Sequence, residues 1–253
     1  MMPKLRAILA PAATFLLLLG LWQTVAALQL YPEYLFPSPA AVARGAGELF
    51  ASGELWPYVY TSLLRFVAGY GAAAFVALPL GLFFGRCTGL WRAIDPLMQV
   101  LRPISPIAWF PLISLWFGIG NLPAIVIIFL AAFYPILLAT VAAVRNVSPL
   151  YLKVATNFGA SRRKILWDVI VPAAFPQITV GLHIAIGSAW VFLVAGEMLG
   201  VRSGLGYLII DSRNNLRTDL VLVGIVLIGL FGLIIDRLMG MGERWVKRQW
   251  GTQ

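Results

Sequence analysis

Residues 148–176 read SPLYLKVATNFGASRRKILWDVIVPAAFP, a polar interruption between two long apolar runs. Its cations are Lys153, Arg162, Arg163 and Lys164, with Arg145 just ahead of it. Ser148-Pro149 has the form of a helix start, because the hydroxyl accepts an otherwise orphaned N–H and proline at the first helical position forfeits no bond. Tyr151, Val154, Ala155 and Phe158 recur at i, i+3, i+4 and i+7 and therefore share one face. Gly159 is the stop, since glycine takes the left-handed C′ conformation without strain. Ser161 is placed to cap a second helix with an apolar stripe of Ile165, Leu166 and Val169, after which Pro172 and Pro176 mark the start of a membrane span. The spacing predicts a short helix, a glycine elbow and an amphipathic helix. By periodicity alone, an ordinary loop kept basic by membrane topology fits equally well.

Composition sets the surroundings of that loop. Of the 253 residues 60% are hydrophobic and only 11% charged, and the mean hydropathy is +0.88, which excludes a soluble domain and points to an integral membrane protein. The formal net charge of +9 does not imply nucleic acid, because the basic residues gather at the ends of apolar runs. The lone Cys87 excludes an intrachain disulfide and any cysteine-based metal cluster, and the lone His183 excludes a histidine-rich site.

The apolar runs predict six spans, at residues 8–30, 58–84, 97–117, 123–144, 173–199 and 220–238, in one all-α domain covering 1–253 with no internal repeat. A cleaved signal peptide ending near Val25-Ala26-Ala27 is the competing reading of the first run, but its length suits a full span. Between the first two spans, Ser38-Pro39 starts a short helix with Val42, Leu49 and Phe50 on one side and Arg44 and Glu48 at i, i+4 on the other. Gly81 and Gly85 in the second span permit close helix approach, and Arg65 in its early turns is expected to snorkel to the interface. Pro103, Pro106 and Pro111 crowd the third span beside Trp109. They leave carbonyls unpaired that lipid does not tolerate, so this span is expected to be kinked and to line a cavity. The fifth span carries His183, Ser188, Trp190 and Glu197, which with Trp109 are the candidates for a translocation path; packing is the plain alternative for each.

Even-numbered crossing puts both termini on one side. With the N-terminus inside, the inner segments hold Lys4, Arg6, Arg86, Arg92, Arg145, Lys153, Arg162, Arg163, Lys164, Arg237, Arg244, Lys247 and Arg248. The outer ones hold Arg44, Arg202, Arg213 and Arg217, so the bias places residues 148–172 in the cytoplasm.

That loop resembles the EAA loop of ABC importer permeases, with Ala155, Gly159, Ala160 and Pro172 on its positions. The flanking LFPSPAAV, LWFGIG, GLHIAIGSAW, VAGEMLG, SGLGYLI and TDLV resemble the nitrate/sulfonate/taurine class of these permeases, and the likeness runs from about Leu35 to Arg244. One departure is Lys153, which stands where the family usually has the glutamate of EAA. The resemblance implies the transmembrane subunit of a type I ABC importer, a six-helix permease fold with a cytoplasmic coupling helix. It implies a multi-pass protein of the bacterial inner membrane, working as a homodimer with two cytoplasmic ABC ATPase subunits and an extracytoplasmic substrate-binding protein. Tyr151, Val154, Ala155, Phe158, Gly159, Ala160 and Arg162 would then meet the ATPase, and the cargo would be a small anion such as taurine, another sulfonate or nitrate. In relatives the His183 position often carries arginine.

No enzyme is expected in this chain, and no cofactor: there is no G-x(4)-G-K-[ST], so ATP and magnesium would be bound by the partner subunit. An intramembrane hydrolase would need Ser188 and His183 within hydrogen-bond reach, yet five residues along one helix they diverge. An ion-coupled secondary transporter would favour inverted repeats and broken helices, of which only the proline-rich third span gives a hint.

Overall fold

The computed structural model describes residues 2–249, with side chains described over 13–244. Its helices are α1 (Met2–Ala27), α2 (Pro39–Ala51), α3 (Leu55–Arg86), α4 (Thr88–Leu101), α5 (Phe110–Phe117), α6 (Asn121–Arg145), α7 (Pro149–Asn157), α8 (Arg162–Lys164), α9 (Val171–Gly200), α10 (Leu205–Asn214) and α11 (Thr218–Gln249). No strand occurs among the described residues.

The centre of the molecule is α6, packed between α3 and α9. On α3 the residues Gly69, Ala73, Ala77, Gly81 and Gly85, spaced four apart, are all buried. A Cβ at Gly81 would lie 2.5 Å from Thr140 Cβ, and one at Gly85 2.5 Å from Val144 Cβ. The backbones therefore touch along a whole face, as the Gly81/Gly85 pair led us to expect. Between lipid-facing helices such contact stabilises by dispersion and not by exclusion of water. Ile128, Ala132, Ile136, Ala185, Ala189 and Leu193 complete this core. Large apolar side chains such as Phe75, Val191 and Leu230 point outward.

Four continuous helical stretches are long and apolar enough to cross a membrane: Leu55–Arg86, Asn121–Arg145, Arg162–Gly200 and Thr218–Arg244. Thr88–Leu101 and Pro106–Phe117 form a fifth only as a pair bent by 85°. The expected third span is therefore a broken one. The chain leaves the helix at Arg102, and Pro106–Trp109 is a separate 3-10 turn leading into α5. Successive prolines that lack N–H donors and clash with the preceding turn account for the break. The described part of α1 contributes a shorter apolar helix, Ala13–Ala27.

Two further expectations are corrected. Residues 162–200 are one continuous helix rather than an amphipathic helix followed by a span, and a π-helical turn at Ile165–Ile170 joins the pieces. Pro172 offers no N–H to the carbonyl four residues back, and a wider turn re-registers the ladder there. On α2, Arg44 and Glu48 do not pair with each other. Arg44 reaches Glu33 at 3.7 Å, while Glu48 accepts from Arg217 at 2.8 Å across to the start of α11. Asp219 and Glu48 together hold the Arg217 guanidinium in its charged form, raising its already high pKa through hydrogen bonds.

Candidate functional site

The segment 148–164 folds as its residues dictate. Ser148 Oγ accepts from Leu150 N at 3.3 Å and Pro149 occupies the first turn of α7. The helix ends at Asn157, and Gly159 follows with φ +73, closed by Ala160 N donating to Ala155 O at 3.0 Å. Ser161 Oγ then accepts from Lys164 N at 3.4 Å. Leu152 turns inward and, with Ile165 and Leu166, packs on the buried cluster of Val144, Val147 and Ile170, anchoring α7 to the base of the long helix. Tyr151, Val154 and Phe158 turn the other way; Phe158 is 86% exposed. Ala155 and Ala160 are half-buried, and Arg162 is exposed beside them. Together these side chains make an exposed apolar face on α7, ended by the left-handed Gly159.

A second assembly lies at the opposite end of α6 and α9. Arg65 and Glu197, 2% and 1% exposed, form a buried ion pair with Nη1 to Oε1 at 2.6 Å. Arg65 also donates to Asn121 Oδ1 from Nε at 3.0 Å and to the Ser203 carbonyl from Nη1 at 2.8 Å. Gly206 N donates to Glu197 Oε2 at 2.9 Å, and Ser62 Oγ lies 2.8 Å from that same oxygen while accepting from Leu205 N at 2.8 Å. Arg65 does not snorkel, because acceptors on α6, α9 and the turn before α10 converge on it. The knot ties four elements together at one end of the bundle.

The remaining candidates are placed as follows. Trp190 is buried, stacks edge-on against Phe66 with ring centroids 5.4 Å apart, and donates from Nε1 to Ile228 O at 3.0 Å. Ser188 Oγ lies 3.0 Å from the carbonyls of Ala131 and Ala185. His183 joins α9 to α11, with Nε2 2.7 Å from Asp236 Oδ1 and Nδ1 3.5 Å from Glu243 Oε1. Trp109 is half-buried in the 3-10 turn.

None of these four, nor Glu197, lines either of two cavities of about 800 and 500 Å³, which run side by side along α6 and share Arg102, Pro103 and Leu138. Pro103 and Pro106 do line them, as expected of the broken span. Arg102 and Arg145 were not among the sequence candidates. Arg102 and Arg65 are the cations that fall inside expected spans and not at their ends, and that was the available signal.

Residues 77–248 match the family described as the binding-protein-dependent transport system inner membrane component. The chain belongs to this family. It is 34% identical over 252 residues to the taurine transport system permease protein TauC of Escherichia coli, covering 98% of this chain and 90% of that one. To the nitrate import permease protein NrtB of Leptolyngbya laminosa it is 34% identical over 237 residues, covering 90% and 84%. Among solved structures it is similar to the MetNI methionine ABC transporter, with TM-score 0.57 and 19% identity over 73% of this chain and 95% of that chain. The fold is thus that of a type I ABC importer permease, and the chain is a multi-pass inner-membrane component of the nitrate/sulfonate/taurine class. As a permease of this kind it works with separate ATPase subunits and is not itself the enzyme.

Proposed function

We propose that two copies of this permease form the path for a small oxyanion of the sulfonate or nitrate type, delivered by an extracytoplasmic binding protein and driven by two ATPase subunits. The observation that carries the coupling half of this reading is the exposed Tyr151, Val154 and Phe158 face, cut off by the left-handed Gly159. An unpartnered apolar knob outside a bilayer has the size and character of a docking element, and Arg162 adds a charge at its rim. ATP-driven closure of the ATPases would move the two knobs together and rock the helices rigidly attached to them, as alternating access requires. Leu152 and the continuous helix from Arg162 supply that rigidity. ATP and magnesium belong to the partner subunit, and lipid surrounds the outward-facing apolar side chains.

The cargo class is supported by the relatives that carry taurine and nitrate, whose common chemistry is a small oxyanion. The orientation is supported by the Lys/Arg asymmetry, with α1 as the sixth span and both termini cytoplasmic. The decisive experiment is reconstitution of the permease with its ATPase and binding protein in liposomes. ATP-dependent uptake of labelled taurine or nitrate, competed by related sulfonates, is expected. Uptake that ignores both ATP and the binding protein but follows an ion gradient would replace this reading with a secondary transporter.

A further inference from the structure

The fold treats Arg65 and Arg102, both inside expected spans, in opposite ways. Arg65 is enclosed and given acceptors from Glu197, Asn121 and Ser203. Arg102 stands exposed at the 85° break between α4 and the Pro106 turn, and no acceptor or carboxylate meets it among the described residues. A guanidinium at membrane depth is costly unless it faces water or a counter-ion. Its surroundings supply open space wide enough for water or an anion: Arg102 lines both cavities, which share Pro103 and Leu138 with it.

Position along the groove follows from α6. Leu138, which lines both cavities with Arg102, lies seven residues and about 10 Å before Arg145 along the helix. Arg145 and Asn146 line the same cavity at its mouth. The carboxylate in that cavity, Asp95, accepts from Gln99 Nε2 at 2.8 Å and lies on α4 about two helical turns before Arg102. On the far side of Arg102 the second cavity offers Ser105 and Tyr134 as hydroxyl donors among apolar walls. A planar guanidinium suits the paired oxygens of a sulfonate or nitrate, and exposure to water keeps such an encounter weak enough for release.

We propose that Arg102 is an anion-coordinating residue in the inner half of the translocation path, holding the oxyanion at the helix break before it passes to Arg145 at the cytoplasmic mouth. This rests on the permease reading above, and two measurements separate the fates of the two ideas. In the reconstituted transporter, Arg102→Gln should lower taurine uptake about tenfold, the weight of one charge-assisted contact, while Arg102→Lys retains most of it. ATP hydrolysis stimulated by the loaded binding protein should persist in both, because Arg102 lies away from the coupling knob. Wild-type uptake by Arg102→Gln across a range of taurine concentrations would overturn the assignment and leave the permease reading standing.

The second measurement does not depend on transport. In a chain carrying Cys87→Ser and Leu138→Cys, a sulfonate-bearing methanethiosulfonate and a trimethylammonium-bearing one are compared in inside-out membrane vesicles. With Arg102 present, the sulfonate reagent should be favoured, and Arg102→Gln should cut that preference at least about fivefold, as expected for one unit charge within several ångströms. Methanesulfonate should slow the reaction in the Arg102 background only. A preference unchanged by Arg102→Gln would overturn the proposal whatever the transport assays give.

Discussion

Gly159 concentrates the coupling argument in one residue. Its φ of +73 is a region that costs a side chain roughly 1 kcal/mol, although a Cβ there would meet nothing within the chain. Gly159→Asp should therefore fold and insert, yet place a charge beside an apolar contact that desolvates on docking, at a further cost of several kcal/mol. The expected result is an intact permease that no longer retains its ATPase in pull-down and no longer transports. Full retention and transport would reduce the loop to a topogenic one. Lys153→Glu, which introduces the glutamate implied by the resemblance to the EAA loop, should be tolerated if the groove offers a cation. At the other end of the bundle, Glu197→Ala leaves Arg65 charged and enclosed, and should destabilise by about 3–5 kcal/mol. Thermal denaturation in detergent measures this. The paired replacement Arg65→Met with Glu197→Leu should recover much of the loss, since removing both charges also removes the cost of burying one alone.

At the scale of elements, the α3–α6 contact is set by an absence of side chains. Gly81→Leu would drive a side chain into Thr140 and should cost about 1–3 kcal/mol or more in melting experiments, by forcing the two helices apart. Gly71→Ala on the same helix, where a Cβ meets nothing, should be neutral or slightly stabilising. A similar loss in both would mean that the effect is general to helix α3 and not to its packing face. The broken span follows a different logic. Pro103 and Pro106 free backbone carbonyls that only protein or water can satisfy, and the cavities they line provide that setting.

For the whole molecule, sidedness is the property that everything else requires. Cys87, the only thiol, lies at the junction of α3 and α4. An impermeant maleimide should reach it from inside-out vesicles and not from intact spheroplasts; labelling from outside would invert the orientation. The purified chain should neither hydrolyse ATP nor cleave peptide or lipid. Hydrolysis should appear only with the ATPase present and rise with the loaded binding protein.

Membrane character and the helix, glycine elbow and cap of residues 148–164 were legible because each depends on local or additive properties. Hydropathy sums along the chain, and Ser148, Pro149 and Gly159 act on backbone within a few residues of themselves. Six spans were expected by this arithmetic, and the described helices give four with a fifth as a bent pair. The tertiary structure alone decided which polar side chains meet. Arg65 and Glu197 are 132 residues apart in sequence, so their pairing depends on α3, α9 and α10 being brought together. Trp190 and Ser188 read as polar-tipped cavity residues until carbonyls of α11 and α6 came within reach of them. Arg102 gave the opposite outcome: the break that positions it was foreshadowed by the prolines, but only packing showed that no acceptor among the described residues comes to meet it. A side chain's partner is a property of the assembled bundle, because helix rotation and depth are settled by contacts that no single helix contains.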